Sequence, residues 1–401
     1  MFIKLFGFKL KLEIDHILIF LITFTLPMFT RLNNIILGVL IALTFFQALK
    51  LKKKPNVKLL KSCLPIFLFF GLALVASLND TEALFFNHLE KYMSFLLIPL
   101  AFTYKSDKIE ELIKYAFYGL LFGCIATLLI CYINAFFEII VYKEPLSYFL
   151  RWRHLSHRFT EIAGTHPAYL GLFIAVSAYY LLFHLKDLSN KIKTPILLLF
   201  FFGIIQLASR VALFIFLITI LAYILISIRK KIQLVVFGVL LVSFVSILFV
   251  SQGSNYFKER LFSIESMIQD SRFDRLKISF DIFKEHPIIG VGFQSIDDER
   301  INKYKESGFD IAAEKGYNSH NQFFEYLSIN GLVGVIIYLS VFVYLIVKSC
   351  RDRNYLFLFL ILTFFIANLT ESMMVRIKGI EYFSIFISLF LINNLKSQKN
   401  I

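Results

Sequence analysis

Cysteine is scarce in this sequence, with four residues in 401. Cys124 and Cys131 lie in one apolar run. On a helix their spacing separates them by about 10 Å, which is too far for a disulfide. Cys63 and Cys350 lie at the ends of other apolar runs, next to basic residues. The C-x-x-C and H-E-x-x-H spacings of common metal sites are missing. The sequence therefore predicts no disulfide bond, no metal ion and no cofactor.

A period-two alternation of apolar and polar residues is also missing from the long apolar runs, which argues against membrane-spanning strands. The chain instead contains continuous apolar runs. It is 58% hydrophobic, has 48 phenylalanines and has a mean hydropathy of +0.72. A soluble protein of this length could not bury so much apolar surface. We predict an all-α, polytopic membrane protein with about 12 transmembrane helices. The predicted spans are about 16–30, 33–49, 62–78, 92–104, 112–140, 167–185, 194–208, 211–228, 232–250, 322–347, 354–370 and 379–395.

The short loops between these runs alternate between strongly and weakly basic, which predicts the orientation in the membrane. Loops such as KLKKKPNVKLLK would be cytoplasmic, together with both chain termini, and the first run would be a retained span. The predicted organisation is spans 1–9 within 1–250, with an outer loop near 141–166. A large outer loop with an amphipathic helix follows at 251–320, and spans 10–12 lie within 321–401. These loops account for the net charge of +14, so we predict no nucleic-acid partner.

A histidine stands where the large outer loop meets the tenth predicted span, in SHNQFFEYLSINGLVG. Ser319 and Gln322 fit the S-x-x-Q capping box, which predicts a helix that begins at His320. The free N–H groups of such a helix end can bind a phosphate. His320 would then be either a general base at the membrane boundary or a side chain that only caps the helix.

Other polar side chains are predicted at the same outer level. Arg210 lies between two spans with almost no loop, where a charge is costly unless it is paired or functional. Arginines can bind phosphate oxygens in a bidentate manner, and a lipid-linked pyrophosphate is the natural anion for such a boundary. His166 opens the sixth span and is the rival base, or a cap. The remaining candidates, each of which could instead be a paired or solvated surface residue, are Arg272, Arg275, Glu90, Asn321, Glu371 and Arg376.

The segment SRFDRLKISFDIFKEHP in the large outer loop predicts an amphipathic helix. Leu276, Phe280 and Phe283 recur at helical spacing, and Pro287 ends the run. A helix of this kind would lie on the membrane surface or cover a cavity.

These motifs resemble the O-antigen ligase and polymerase superfamily, bacterial enzymes that act on undecaprenyl-pyrophosphate-linked glycans. RFDRLKISFDIFKEHPIIGVG resembles the family's arginine, amphipathic stretch and glycine-containing turn. SHNQFFEYLSINGLVGVIIYL resembles its histidine–asparagine signature, with Phe324 in place of the usual leucine. LASRVALF, THPAYLGLF and LTESMMVRIKG resemble further blocks, so that the resemblance covers about 160–380.

The resemblance implies a C-type glycosyltransferase-like helical fold in the bacterial inner (cytoplasmic) membrane and a metal-independent glycosyltransferase with a periplasmic active site. It implies that His320 is the general base and that Arg210 and Arg272 bind pyrophosphate, with Arg272 preferred to Arg275. The donor would be an undecaprenyl-pyrophosphate-linked glycan. The acceptor hydroxyl would belong to a lipid, a glycan or a protein.

Several functions are compatible with these motifs. The enzyme could be an O-antigen ligase of lipopolysaccharide biosynthesis, a polysaccharide chain polymerase or a protein O-oligosaccharyltransferase. A permease or flippase would show internal repeats and charges near the middle of its spans. The sequence shows no clear repeat and few such charges, so we favour an enzyme.

Overall fold

The computed structural model describes residues 2–5, 8–11, 13–79, 89–227, 238 and 272–397. The chain divides into two compact units: unit 1 is 1–36 with 115–269, and unit 2 is 37–114 with 270–401. Apart from Gly238, the predicted ninth span lies outside the described residues, as does 251–271 of the predicted outer loop.

Most of the described chain is helical. The α-helices are α1 (Ile14–Thr25), α2 (Thr30–Lys50), α3 (Val57–Ser62), α4 (Leu64–Leu78), α5 (Ser94–Tyr104), α6 (Ile109–Val141), α7 (Ser156–Thr160), α8 (Pro167–Phe183), α9 (Asn190–Leu207), α10 (Arg210–Ser227), α11 (Arg272–Glu285), α12 (Phe293–Glu306), α13 (Asp310–Lys315), α14 (Gln322–Arg351), α15 (Tyr355–Asn368) and α16 (Ile377–Ser397). Short 3₁₀ turns occupy Glu90–Met93, Ser106–Lys108, Leu146–Leu150, Trp152–His154, Glu161–Ala163 and Met373–Val375.

The N-terminal segment departs from the all-α prediction because it forms a short antiparallel hairpin. Strand β1 (Phe2–Leu5) pairs with β2 (Phe8–Lys11), and Phe2 lies opposite Lys11. Apolar and basic residues alternate through most of this segment, which is the pattern of a strand and not of a helix.

Several helices have the composition of membrane spans. Among the described residues, four helical segments are long and apolar enough to cross a membrane: Thr30–Lys50, Ser106–Val141, Asn190–Leu207 and Gln322–Arg351. The pair Ser156–Ala163 and Pro167–Phe183, bent by 79°, adds a fifth if it counts as one span. The prediction of a helical membrane protein is thus confirmed at this level, whereas the number of twelve spans stays a prediction.

The hairpin between α9 and α10 in unit 1 is as tight as the sequence predicts. Helix α9 ends at Leu207, Ala208 has the left-handed φ of 49° at its C-cap, and α10 begins at Arg210. Helix α10 also packs closely on α8, because a Cβ added at Gly171 would lie 2.5 Å from the Cβ of Ala212. The hairpin therefore holds Arg210 at the first position of its helix.

Helix α14 in unit 2 is broken at Gly331, whose backbone has φ 60° and ψ −153°. A break inside an apolar helix leaves N–H and C=O groups that need partners away from water. The segment 287–292, between α11 and α12, supplies them. The backbone hydrogen bonds run from Leu332 N to Pro287 O (2.9 Å), Val333 N to Ile288 O (3.2 Å), Val291 N to Ser328 O (3.1 Å) and Gly292 N to Ile329 O (3.0 Å).

The two backbones at this break approach too closely for a side chain. A Cβ at Gly331 would lie 2.5 Å from the carbonyl carbon of Ile288, and one at Gly290 would lie 2.3 Å from that of Ile329. Asn79 adds a side-chain hydrogen bond to Gly290 O at 2.9 Å. The glycine-containing turn and the histidine–asparagine signature are therefore locked together.

Helix α11 forms as predicted, and the residues that it buries differ from the apolar series Leu276, Phe280 and Phe283. The buried residues are Arg275, Ile278, Ser279 and Ile282, whereas Phe280 is 40% exposed. Both faces have helical spacing, so periodicity alone cannot choose between them. Helix α11 packs against α14 through the side that carries Arg275 and Ser279, and this tertiary contact decides the orientation.

Helix α12 is linked to the end of α11 by an ion pair. Lys303 Nζ lies 2.7 Å from Glu285 Oε1, and this hydrogen bond raises the pKa of Lys303. The pair is partly exposed, so it contributes little stability. Its main effect is to hold α12 next to the end of α11.

Candidate active site

The backbone around His320 corrects the predicted helix start. Helix α14 begins at Gln322, and its N-cap is Asn321, whose side-chain oxygen accepts from the N–H groups of Phe323 and Phe324. An asparagine caps a helix at least as well as a serine, so Asn321 displaces the predicted Ser319 cap. His320 therefore lies before the helix, not in its first turn.

His320 adopts a left-handed backbone conformation with φ 48°. Its N–H donates to the side-chain oxygen of Asn318 at 3.1 Å, an arrangement that stabilises a turn. Non-glycine residues in this conformation cost energy and are concentrated at functional sites. From this turn the imidazole reaches the segment after α15.

The imidazole of His320 is paired with a carboxylate. Its Nδ1 lies 3.0 Å from Glu371 Oε2, and the two side chains are 19% and 14% exposed. With Nδ1–H donating to this carboxylate, the lone pair of Nε2 is left to accept a proton. Glu371, a sequence candidate, thus orients the histidine that the sequence selects as a base, and both side chains keep some access to solvent.

The turn that carries His320 is joined to the segment that carries Glu371 by further hydrogen bonds. Asn321 Nδ2 donates to Leu369 O at 2.9 Å. Gln322 Oε1 accepts from the N–H of Met374 at 2.7 Å. These two hydrogen bonds hold the residues that follow His320 against the segment on either side of Glu371.

An aromatic ring connects His320 to an arginine of α11. Tyr317 lies edge-on to the imidazole, with ring centroids 6.2 Å apart and planes at 79°. The guanidinium carbon of Arg275 lies 5.2 Å from the centroid of the same ring, within cation–π range. Burial raises the pKa of Tyr304, so its hydroxyl stays protonated and donates to Tyr317 O at 3.0 Å.

The other charged candidates of unit 2 occupy different environments. Arg272 is half-buried at the first position of α11, one turn before the buried Arg275. Arg376 and Glu90 are exposed. Lys91, the chain neighbour of Glu90, is half-buried beside the ring of Tyr92, with Nζ 5.2 Å from its centroid.

The pKa of Lys91 reflects both its burial and the charges around it. Burial lowers the pKa of Lys91, the charges of Glu325 and Asp297 oppose this shift, and Arg376 adds to it. A lysine with a lowered pKa destabilises the folded state at pH values where it is charged.

A buried ion pair that the sequence analysis missed lies next to the turn. Arg300 Nη1 of α12 is 3.0 Å from Glu325 Oε1 of α14, and both side chains are buried. Arg300 Nη2 also donates to Ser328 Oγ at 3.0 Å. A glutamate inside the apolar run QFFEYLSI is the signal that could have revealed it, because ionisable residues in such runs are rare and paired.

Two candidates lie in unit 1. Arg210 is half-buried at the start of α10. His166 is the N-cap of α8, where its Nδ1 accepts from the N–H of Ala168 at 3.3 Å, and its ring lies edge-on to His157 at 4.4 Å. The cap that the sequence offered as the alternative for His166 is thus present.

Metal ligation has no candidate among the described residues, where no group of three His, Cys, Asp or Glu side chains could hold an ion. The ionisable groups near His320 instead pair with each other. The described residues thus combine apolar helices of a helical membrane protein with a clamped helix break and a histidine–carboxylate pair.

Part of the chain is similar to a known family. Residues 195–339 match the model of the family described as O-Antigen ligase, which confirms the resemblance to that superfamily. The matched stretch contains Arg210, Arg272, Arg275 and His320 and ends before Glu371. No curated protein matches the chain.

Proposed function

We propose that this protein transfers a glycan from a polyprenyl-pyrophosphate carrier to an acceptor hydroxyl at the periplasmic face of the bacterial inner membrane. The observation that carries the proposal is the His320–Glu371 pair, 3.0 Å apart, whose histidine lies in the stretch that matches the O-antigen ligase family. A base fixed by a carboxylate suits deprotonation of a hydroxyl nucleophile.

In the proposed reaction, Nε2 of His320 takes the proton of the acceptor hydroxyl as its oxygen attacks the anomeric carbon. The bond between that carbon and the pyrophosphate oxygen breaks, and its electron pair leaves with the polyprenyl pyrophosphate. Glu371 keeps the imidazole oriented and stabilises the charge that the proton brings. His320 is thus the catalytic residue, and Glu371 acts through it as a positioning residue.

The negative charge that grows on the pyrophosphate needs cations that are already in place. We assign this role to Arg210, Arg272 and Arg275, whose planar guanidinium groups fit phosphate oxygens. The sequence ranks Arg272 above Arg275, but the burial of Arg275 and its contact with Tyr317 favour an equal role for Arg275. We propose that these arginines replace a metal ion, so that the reaction needs none.

Whether the protein is a ligase or a polymerase depends on its acceptor. The glycans of cells that lack the gene can distinguish the two functions. In a strain that lacks the gene, we expect long lipid-linked glycan to accumulate while its attachment to the acceptor is lost, because a ligase acts after the chain is complete. Surface glycans and lipid-linked intermediates can be compared by gel electrophoresis and mass spectrometry. Single repeats attached to the acceptor would instead identify a polymerase, and unchanged glycans would contradict both.

The proposed orientation can be tested with a native cysteine. Cys350 is exposed at the end of α14, whereas Cys63, Cys124 and Cys131 are buried. A membrane-impermeant maleimide should label Cys350 in inside-out vesicles and not in spheroplasts, because the basic loop that contains it is predicted to be cytoplasmic. As a matched control, Ser307→Cys in a Cys350→Ser chain should show the reverse accessibility. Labelling of Cys350 in spheroplasts would overturn the orientation.

A further inference from the structure

One carboxylate oxygen of Glu325 receives hydrogen bonds from two separate segments of unit 2. Glu325 Oε2 accepts from the N–H of Ser319 at 3.2 Å and from its hydroxyl at 2.5 Å. It also accepts from the hydroxyl of Ser372 at 3.3 Å. Its other oxygen, Oε1, is occupied by Arg300 at 3.0 Å.

The two serines are the direct chain neighbours of the proposed catalytic pair. Ser319 precedes His320, and Ser372 follows Glu371. The backbone positions from which the imidazole and its carboxylate partner extend are therefore fixed to the same oxygen atom. A displacement of either segment relative to Glu325 changes the distance between His320 and Glu371.

Stability alone is a weak explanation for this arrangement. Burying a carboxylate and a guanidinium costs several kcal/mol, and a pair of this kind is often no better for stability than apolar residues of the same size. The carboxylate offers two acceptor atoms that can serve three donor residues at once, which an apolar side chain cannot do. Arg300 supplies the positive charge that makes burial of this acceptor tolerable.

We propose that Glu325, with Arg300 behind it, is a positioning residue that sets the His320–Glu371 geometry through Ser319 and Ser372. This inference rests on the proposed function. It predicts that Glu325 affects the chemical step and not the affinity for the donor. A small misplacement of reacting groups lowers rates by up to about 100-fold, so loss of one of the two serine contacts should have a smaller effect, roughly 10-fold.

The test removes the Ser372 contact and leaves the buried ion pair intact. Ser372→Ala should lower kcat for glycan transfer by roughly 10-fold with little change in KM for the donor. In a Glu371→Gln chain the same substitution should have almost no further effect, because Ser372 acts through Glu371. Ser349→Ala is the matched control, since this buried serine donates only to the carbonyl of Ile346 in its own helix at 2.8 Å.

The possible outcomes separate this inference from the proposed function. If Glu371→Gln slows transfer but Ser372→Ala lowers kcat equally in both backgrounds, or not at all, the positioning role is wrong and the proposed base stands. If Ser349→Ala causes the same loss as Ser372→Ala, the effect is general destabilisation and the role is also wrong. If neither His320→Ala nor Glu371→Gln slows transfer, the proposed catalytic pair is wrong, and the inference is overturned with it.

Discussion

Replacing Gly331 with alanine should leave little folded protein in the membrane. The backbone of Gly331 has φ 60° and ψ −153°, a region essentially restricted to glycine, and an added Cβ would lie 2.5 Å from the carbonyl carbon of Ile288. Strain and overpacking together cost about 3–5 kcal/mol, which is much of the stability of a typical domain. The folded fraction can be measured by size-exclusion chromatography of a fluorescently tagged chain in detergent.

A second glycine with a positive φ provides the control for this substitution. Gly308 has a similarly positive φ of 75°, but a Cβ there would meet no heavy atom within 4 Å. Gly308→Ala should therefore cost only about 1–2 kcal/mol and leave most of the protein folded. If Gly331→Ala were no worse than Gly308→Ala, the close approach of segment 287–292 to the helix break would be contradicted.

Replacing His320 with alanine should slow glycan transfer by roughly 10²–10⁴-fold, the usual contribution of a general base. The protein should remain folded, because the helix cap is provided by Asn321 and not by His320. Donor binding should change little, since the imidazole acts on the acceptor. Initial rates and donor affinity of the purified protein measure these effects separately.

His166 provides the control for this substitution. Because His166 caps α8, its replacement by alanine should cost about 1 kcal/mol of stability and leave the transfer rate nearly unchanged. The opposite pattern, with transfer abolished by His166→Ala and retained by His320→Ala, would mean that the base has been assigned to the wrong histidine.

The helices could be predicted from the sequence because their apolar runs are long and their ends are marked. The α9–α10 hairpin follows from two apolar runs with almost nothing between them, and its chain reversal at Ala208 confirms the prediction. The marked ends of the apolar runs also allowed both members of the candidate pair to be selected, although not their pairing. His320 and Glu371 both stand where apolar runs meet polar segments, where the outer ends of spans were expected.

Other features depend on contacts that a linear pattern does not contain. The capping box is a local rule, and it predicted a helix start at His320. The prediction failed because Asn321, one residue from the predicted start, is an equally good cap. The buried face of α11 includes Arg275 and Ser279 because that helix packs against α14. The close approach at Gly331 requires a partner segment about forty residues away in the chain, and the pairing of His320 with Glu371 spans a still longer separation.

The most direct test of the central claim is transfer by the purified protein with a polyprenyl-pyrophosphate-linked glycan, an acceptor and EDTA in the buffer. We predict that the wild-type chain links glycan to acceptor and releases one polyprenyl pyrophosphate for each glycan transferred, while His320→Ala does so at least about 100-fold more slowly. Transfer that stops in EDTA and returns with Mg²⁺, or that proceeds at the wild-type rate without His320, would contradict the account.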